Sequence, residues 1–415
     1  MKILQVSSSA QLGGAGIAAY RLHRGLIQLN AESIMLVNSQ RDKDKSIVGA
    51  VGIFDKVMAK LTPLLDMVPG RFSSIDMDRV SASWVPDRLI HRIKKNPPDI
   101  LNLHWVNDGF MSIATLAKFE QPMIWTLHDM WAFSGGEHYV GDSTRYKEGY
   151  SAKNRPPDEK KLDIHRWIWA RKKKSWSHLA KKLTIAAPSK WMACCASESA
   201  LFKDFRVEIL PNGIDHERYH PMDHRVARNV LGLPEDKKLI LFGAGSATSD
   251  KRKGYHLLVD AIKKFEKQVN LADYELIVFG ASSGEGESFM KTHYLGVLAD
   301  EISLALVYAA ADVFVAPSLE DNLPNTVLES LACGTPVVAF NIGGMPDMIS
   351  HKVNGYLAGA FDVDDLTKGL LWVLEDSKRR KSLSAAARDT VMKSFTLEQS
   401  AKRYLSLYEE LLGGS

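Results

Sequence analysis

Cysteine is scarce in this chain, with three in 415 residues, at Cys194, Cys195 and Cys333. Their spacing fits neither a metal site nor an even disulfide framework, so reduced thiols in a core are expected. No apolar run reaches the roughly 18 residues that a membrane span needs. The amino-terminal MKILQVSSSA has one lysine and a short apolar stretch, which reads as a first strand and not as a signal peptide. Net charge is only +4, too mild to imply nucleic-acid binding. Internal repeats and low-complexity tracts are absent too. What is there is an ordinary globular composition, 45% apolar and 25% charged. A chain of this length exceeds one hydrophobic core, so two domains are expected. A reducing cytoplasm is the expected compartment.

Strand and helix signals alternate through both halves, which predicts a parallel sheet in each, an α/β fold. In the first half, residues 2–7, 33–37, 100–103, 123–127 and 183–187 read as strands, and residues 17–29 as a helix. Residues 129–157 are polar and irregular, long for a loop that has no function. In the second half, residues 239–242, 274–279, 313–316 and 336–340 read as strands, with helices over 255–265 and 299–310. Turn chemistry at Pro211-Asn212-Gly213 marks the boundary. The domains are therefore expected at 1–210 and 211–392, followed by a carboxyl-terminal helical segment, 393–415, with an apolar stripe.

The richest motif runs from Ser318 through Glu329 and on to Phe340. Glu320 and Asp321 precede a predicted helix, Glu329 sits inside it, and Pro324 suits its first turn. Gly334 ends it. Free amides at a helix start attract phosphate, and an acid one or two turns on can reach a ribose. Lys251-Arg252-Lys253-Gly254 opens another helix. Cations there oppose the helix dipole, a cost that makes sense if they face an anion such as a diphosphate leaving group.

Gly13, Gly14 and Gly16 follow the first strand and let backbone amides approach a phosphate. The loop also fits a dinucleotide pattern, but Asn38 and Ser39 stand where a ribose-binding acid belongs, which argues against a nicotinamide or flavin cofactor. His128, in Thr126-Leu-His128-Asp129, and His104, in Leu103-His104-Trp105, each follow a strand, where ligands gather in parallel sheets. For His104 a structural role is the equal alternative. Asp76-Met-Asp78 and Asp362-Val-Asp364 have a spacing used by some metal-dependent sugar transferases, but they lack strand context, and no metal is expected. Residues 160–182 carry nine Lys or Arg, one acid (Asp163) and Trp167, Trp169 and Trp176. This stretch reads either as a peripheral contact with anionic lipid or as a helix with one core-facing stripe.

Over nearly its whole length the chain resembles retaining, nucleotide-sugar-dependent glycosyltransferases of family 4, most of all bacterial enzymes of exopolysaccharide and lipopolysaccharide assembly. The resemblance rests on Gly13-Gly14, Thr126 to Trp131, Pro188-Ser189-Lys-Trp191, Pro211 to Asp215, Arg252-Lys253-Gly254, Pro317 to Glu329 and Gly334 to Val338. It implies the GT-B architecture, two Rossmann-like domains with parallel sheets facing across a cleft that closes on the donor. The last helix would cross back to the first domain. It implies a nucleotide sugar as substrate, UDP-glucose first, with no cofactor, and a glycan or lipid-linked acceptor. Paired acids spaced eight apart fall on Asp321 and Glu329, with Glu329 on the ribose. The amides around Asn322 and Leu323 would meet the diphosphate or sugar, Glu320 could stand in for Asp321, and Arg252 and Lys253 would neutralise the leaving group. His128 would touch the donor sugar, Gly13 and Gly14 the phosphates, and the Leu295–Val297 segment the base. The acceptor surface would include His104, Trp105, Asn107, Trp131, His138 and Tyr139.

Three residues depart from the family pattern. Asp321 stands where Glu is usual. Ala247 stands where an Arg is usual. Glu137 stands where close relatives often have Cys, and with no cysteine pairing in that loop it is expected to be held by packing alone. A nucleotide-sugar 2-epimerase and a non-catalytic sugar-binding relative share the architecture. Membrane contact, if made, would place the protein on the inner face of the cell membrane.

Overall fold

The computed structural model describes residues 1–38, 44–50, 52–73, 80–284, 290–298 and 300–413. Ser39, Asp76, Asp78 and Ala299 lie outside the described residues. Two compact units form, Met1–Asn212 with Ser400–Ser415, and Gly213–Gln399.

The first unit carries β1 (Lys2–Val6), β2 (Glu32–Leu36), β3 (Ile47–Val48), β4 (Ile100–Leu103), β5 (Met123–Thr126), β6 (Leu183–Ala187) and β7 (Val207–Ile209). They lie in the order β3-β2-β1-β4-β5-β6-β7, all parallel. The order reverses between β1 and β4, the point where doubly wound sheets bind ligands. Strands β4, β5 and β6 are buried at every position, which is why they read as continuous apolar runs.

The second unit carries β8 (Lys238–Gly243), β9 (Tyr274–Phe279), β10 (Thr292–Tyr294), β11 (Val313–Ala316), β12 (Val337–Phe340) and β13 (Gly355–Ala358). Their order, β10-β9-β8-β11-β12-β13, is again all parallel, with its switch point between β8 and β11.

Several expectations need correction. The first helix is Gly13–Gln28 and starts four residues before the expected Ile17, so its glycines form the first turn. Gly13 has φ +69°, and a Cβ on Gly16 would lie 2.5 Å from Ser9 Oγ. Pro324 is the residue before the helix Asn325–Ala332, with ψ 126°, and not part of its first turn. Its fixed φ and missing N–H suit this lead-in as well. Asp362 caps the helix Val363–Glu375 by accepting from the Asp365 amide, and Asp364 pairs with Lys264. Those roles account for that Asp-x-Asp spacing. Of the thiols, Cys195 and Cys333 are buried, but Cys194 is exposed.

The basic, Trp-bearing stretch folds as the helix Ile164–Trp176, with Trp169, Lys172 and Trp176 buried. Trp176 packs edge-on against Trp125 and Trp131, at centroid distances of 5.3 and 6.1 Å. Trp167 stays partly exposed beneath Arg171. The core-facing reading accounts for two of the three tryptophans.

The helix Leu397–Leu411 buries Ala401, Tyr404, Leu407 and Tyr408 against Ile3, Ile100, Ile124 and Ala186 of the first unit. The hydroxyl of Tyr408 accepts from Gln5 Nε2 at 3.2 Å and Asn102 Nδ2 at 2.8 Å, and Tyr404 meets Thr126 at 3.0 Å.

Candidate functional site

In the second unit, the loops after β8 and β11 meet at the switch point. Asp250 caps the short 3₁₀ turn Lys251–Lys253 by accepting from the Arg252 amide. The turn ends at Gly254 in the left-handed region, φ +73°. A Cβ there would lie 1.8 Å from the Pro317 carbonyl, so only glycine lets the two loops touch. The Leu319 amide donates to the Arg252 carbonyl at 2.8 Å, and Arg252 Nη1 donates to the Glu320 carbonyl at 2.9 Å. Lys253 Nζ sits 2.6 Å from Asp321 Oδ2, with Arg252 Nη1 at 3.7 Å and Ser318 Oγ donating at 3.3 Å. Burial alone would raise the Asp321 carboxyl, but Lys253 and Arg252 outweigh it and hold it below its ordinary range. The shorter Asp321 therefore keeps a charged, doubly cationic setting.

Sequence reasoning missed the Gly343-Gly344 loop after β12. Its Gly344 amide donates to the Asp321 carbonyl at 3.1 Å, and a Cβ on Gly343 would lie 2.0 Å from that oxygen. A glycine pair shortly after a buried strand was the available signal. Glu329, also buried, accepts from the Tyr308 hydroxyl at 3.0 Å. Asn322 and Leu323 are buried, Glu320 is half-buried, Leu295 is half-buried just past β10, and Val297 is exposed. Ala247 is fully buried, so the position where Arg is usual here belongs to the core.

In the first unit, Gly13 and Gly14 form the exposed start of a helix. At the ends of β4 and β5, His104 Nδ1 and His128 Nε2 lie 3.0 Å apart, and the rings stack. Gln5 Nε2 donates to Tyr408, so its carbonyl oxygen faces His104 Nε2, at 2.7 Å. His104 Nε2 must then donate. His104 Nδ1 accepts from His128 Nε2–H, which leaves His128 Nδ1 bare. Burial keeps both rings neutral, pulling His128 down to about 4 and His104 well below 6.5.

Asp129 accepts from Trp105 Nε1 at 2.8 Å, the Trp131 amide at 2.9 Å and His138 Nδ1 at 2.7 Å. Burial pushes its carboxyl up, and His138 with these bonds more than reverses the push. His104, Asn107 and Trp131 are buried, and Trp131 belongs to the core. Of the other residues expected on an acceptor surface, Trp105, His138 and Tyr139 stay half-buried.

The loop around Glu137 is not held by packing alone. Glu137 bonds Tyr150 and pairs with His165. Lys172 Nζ reaches the carbonyls of Trp131, Ser134 (3.3 Å) and Gly135 (2.6 Å). Burial pushes the Glu137 carboxyl up, but His165 outweighs it, and the group settles at about 2. Among the described residues no cluster of three or more His, Cys, Asp or Glu could hold a metal ion.

The buried neutral histidines predict a pH dependence of stability. His23 is held near 4 mainly by burial, as is His128. Below 6.5 the unfolded chain takes up protons that these folded rings refuse, so stability falls as pH drops from about 6.5 towards 4. Asp66, raised by burial to about 6, works the other way between 3.8 and 6. Each such histidine costs about 2 kcal/mol between about pH 7 and 5, Asp66 returns about 1, and the net loss is about 2 kcal/mol or more. Urea titrations at the two pH values check this, and His23→Asn should flatten the dependence.

Comparisons with known proteins bear on the family and the fold. Residues 223–390 match the family model described as glycosyl transferases group 1, and residues 12–218 match that of glycosyltransferase family 4. A D-inositol 3-phosphate glycosyltransferase of Paenarthrobacter aurescens is 30% identical over 220 residues, 50% of this chain and 53% of that protein. The chain thus spans about half the length of the curated relatives it matches. Among solved structures, sucrose-phosphate synthase from Thermosynechococcus elongatus superposes over 100% of both chains, with TM-score 0.71 and 17% identity. Anabaena Alr3699/HepE in complex with UDP and glucose superposes over 98% of this chain and 99% of that one, with TM-score 0.63 and 16% identity. These likenesses show the GT-B fold.

Proposed function

The chain belongs to the glycosyltransferases that the group 1 and family 4 models together describe, and from that premise we propose that it moves a hexose from a nucleoside-diphosphate sugar to a hydroxyl of a glycan or lipid-linked acceptor in polysaccharide assembly, with retention at the anomeric carbon. The observation that carries this reading is the Lys253–Asp321 pair with Arg252 at the β8/β11 switch point. Two cations beside a tight glycine turn suit a leaving diphosphate, whose developing charge they would stabilise. The reading needs no metal ion, because Arg252 and Lys253 supply the positive charge. UDP-glucose is the first donor proposed, supported by the UDP and glucose of the HepE structure. The free thiols suit a reducing cytoplasm.

In this proposal Glu329 holds the ribose, and the backbone around Asn322 and Leu323 meets the diphosphate. The segment Leu295 to Val297 lies against the base. Gly13 and Gly14 offer amides to phosphate. His128 contacts the sugar through its bare Nδ1. The acceptor oxygen bonds to the anomeric carbon on the face from which the phosphate departs. The carbon–oxygen bond to phosphate breaks, and the acceptor proton passes to a leaving phosphate oxygen. The protein acts by positioning and by electrostatic stabilisation.

Proton NMR of donor turnover tests this reading. With UDP-glucose, UDP-N-acetylglucosamine or GDP-mannose and a bacterial glycan or lipid-linked sugar extract, the expected product has an α-glycosidic bond, with the hydrogen at C2 retained. A β-linked product would overturn retention. Free sugar epimerised at C2, formed without acceptor, would establish the epimerase instead.

A further inference from the structure

The helix Gly52–Asp66 is turned inside out. Its buried side chains include Thr62 and Asp66, while Ile53, Val57, Leu61 and Leu64 form one outward stripe, exposed by 85, 48, 45 and 65%. Met67 and Phe72, just beyond it, are 61 and 60% exposed. A contiguous apolar face of this kind is uncommon on a free surface and marks a place of contact. Trp84 stands beside it, 40% exposed, its indole N–H donating to the Leu65 carbonyl at 3.0 Å. An indole with one apolar side and one bonded edge suits a boundary between hydrocarbon and water.

Charge identifies the occupant. Lys56, Lys60 and Arg71 are exposed on the same segment. Its acids are neutralised or hidden, with Asp55 paired to Arg88 at 3.1 Å and Asp66 buried. A two-fold interface with a second copy would set these cations against each other. An anionic lipid surface meets both features, apolar side chains entering the acyl boundary and cations its headgroups.

The inner side of the same helix packs beside the candidate acceptor region. Asn38, at the end of β2, donates to the Ala59 carbonyl at 3.2 Å. A Cβ on Gly109, in the loop that carries Asn107, would lie 2.5 Å from the Thr62 carbonyl.

We propose that the face formed by Ile53, Val57, Leu61, Leu64, Met67 and Phe72 docks the protein on an anionic membrane surface. No described helix is long and apolar enough to cross a membrane, so the contact is peripheral. The proposal deepens the lipid-linked acceptor reading, yet its test needs no turnover.

The experiment is co-sedimentation of the full chain with vesicles of phosphatidylcholine alone and of phosphatidylcholine with phosphatidylglycerol. The wild type should sediment with the anionic vesicles, and less so at high salt. The triple variant Leu61→Ser/Leu64→Ser/Phe72→Ser should bind at least about tenfold more weakly, with its unfolding temperature and response to UDP preserved. Val226→Ser/Val230→Ser, which removes exposed apolar groups of the second unit, should bind vesicles as the wild type does. Failure of the wild type to sediment with anionic vesicles would overturn the proposal, as would unchanged binding by the triple variant. So would elution of the wild type as a dimer that the triple variant returns to monomer. A response to UDP without vesicle binding would sink the docking face and leave the transferase reading standing.

Discussion

Replacing Lys253 by alanine is expected to lower turnover at least about a hundredfold, the scale of one lost charge-stabilising donor. The ammonium lies 2.6 Å from Asp321 Oδ2 on a 3₁₀ turn that glycine at 254 allows to press on Pro317. It is thus fixed before any ligand arrives, which is what makes a donor effective in a transition state. The same substitution leaves the buried Asp321 short of a partner. Allowing for the remaining exposure of Lys253, that costs about 2 kcal/mol of stability. The two effects separate in the double variant Lys253→Ala/Asp321→Asn, which should regain stability without regaining turnover. Single-turnover kinetics beside urea titrations make the measurement. Turnover of Lys253→Ala within about tenfold of wild type would remove Lys253 from the chemistry.

The second large effect is structural. Lys172 is fully buried and reaches three carbonyls, those of Trp131, Ser134 and Gly135, with its Nζ 3.7 Å from the centre of the Trp131 ring. Three N–H groups meet three acceptors, and the ring face adds a cation–π contact. Lys172→Met keeps the volume and strands the carbonyls, each at about 1–3 kcal/mol, while it relieves the burial of a charge. The expected net loss is about 3 kcal/mol, read from the urea midpoint at unchanged slope. Burial holds the Lys172 pKa well below 10.5. The unfolded chain therefore keeps a proton that the folded one gives up, and the wild type gains stability as pH rises towards 10.5. Lys172→Met should lose that alkaline gain. A loss under about 1 kcal/mol would mean the loop is held elsewhere, through Glu137 with Tyr150 and His165.

Much of the fold was legible because its central strands are buried on both faces. Ile100–Leu103, Leu183–Ala187, Tyr274–Phe279 and Val313–Ala316 are unbroken apolar or nearly apolar runs whose limits the structure reproduces. The strands β3, β7, β10 and β13 were not read. They are only two to four residues long and lie at or near sheet margins, too short for any period to show. The helix Gly52–Asp66 was passed over because its apolar stripe does not face a core.

In the site, Arg252 and Lys253 could be picked out because positive charge at a helix start is costly without a ligand, and Asp321 because the family's pair of acids falls on it. Their joining through Gly254 and the Gly343-Gly344 loop could not, since it depends on loops distant in sequence coming within van der Waals reach. Trp131 read as surface because it lies in a polar loop. It is core because Trp125 and Trp176 close around it. Lys172 read as one more cation in a basic run, and only the carbonyls above it reveal its burial.

Isothermal titration of the chain with UDP, in wild type and Lys253→Ala, tests the nucleotide-sugar site most directly. The expected result is one site per chain in the wild type, weakened at least about tenfold by Lys253→Ala, with UDP-glucose competing for it. Folded wild-type protein that binds neither UDP nor UDP-glucose, or that binds UDP equally well without the Lys253 ammonium, would contradict the account.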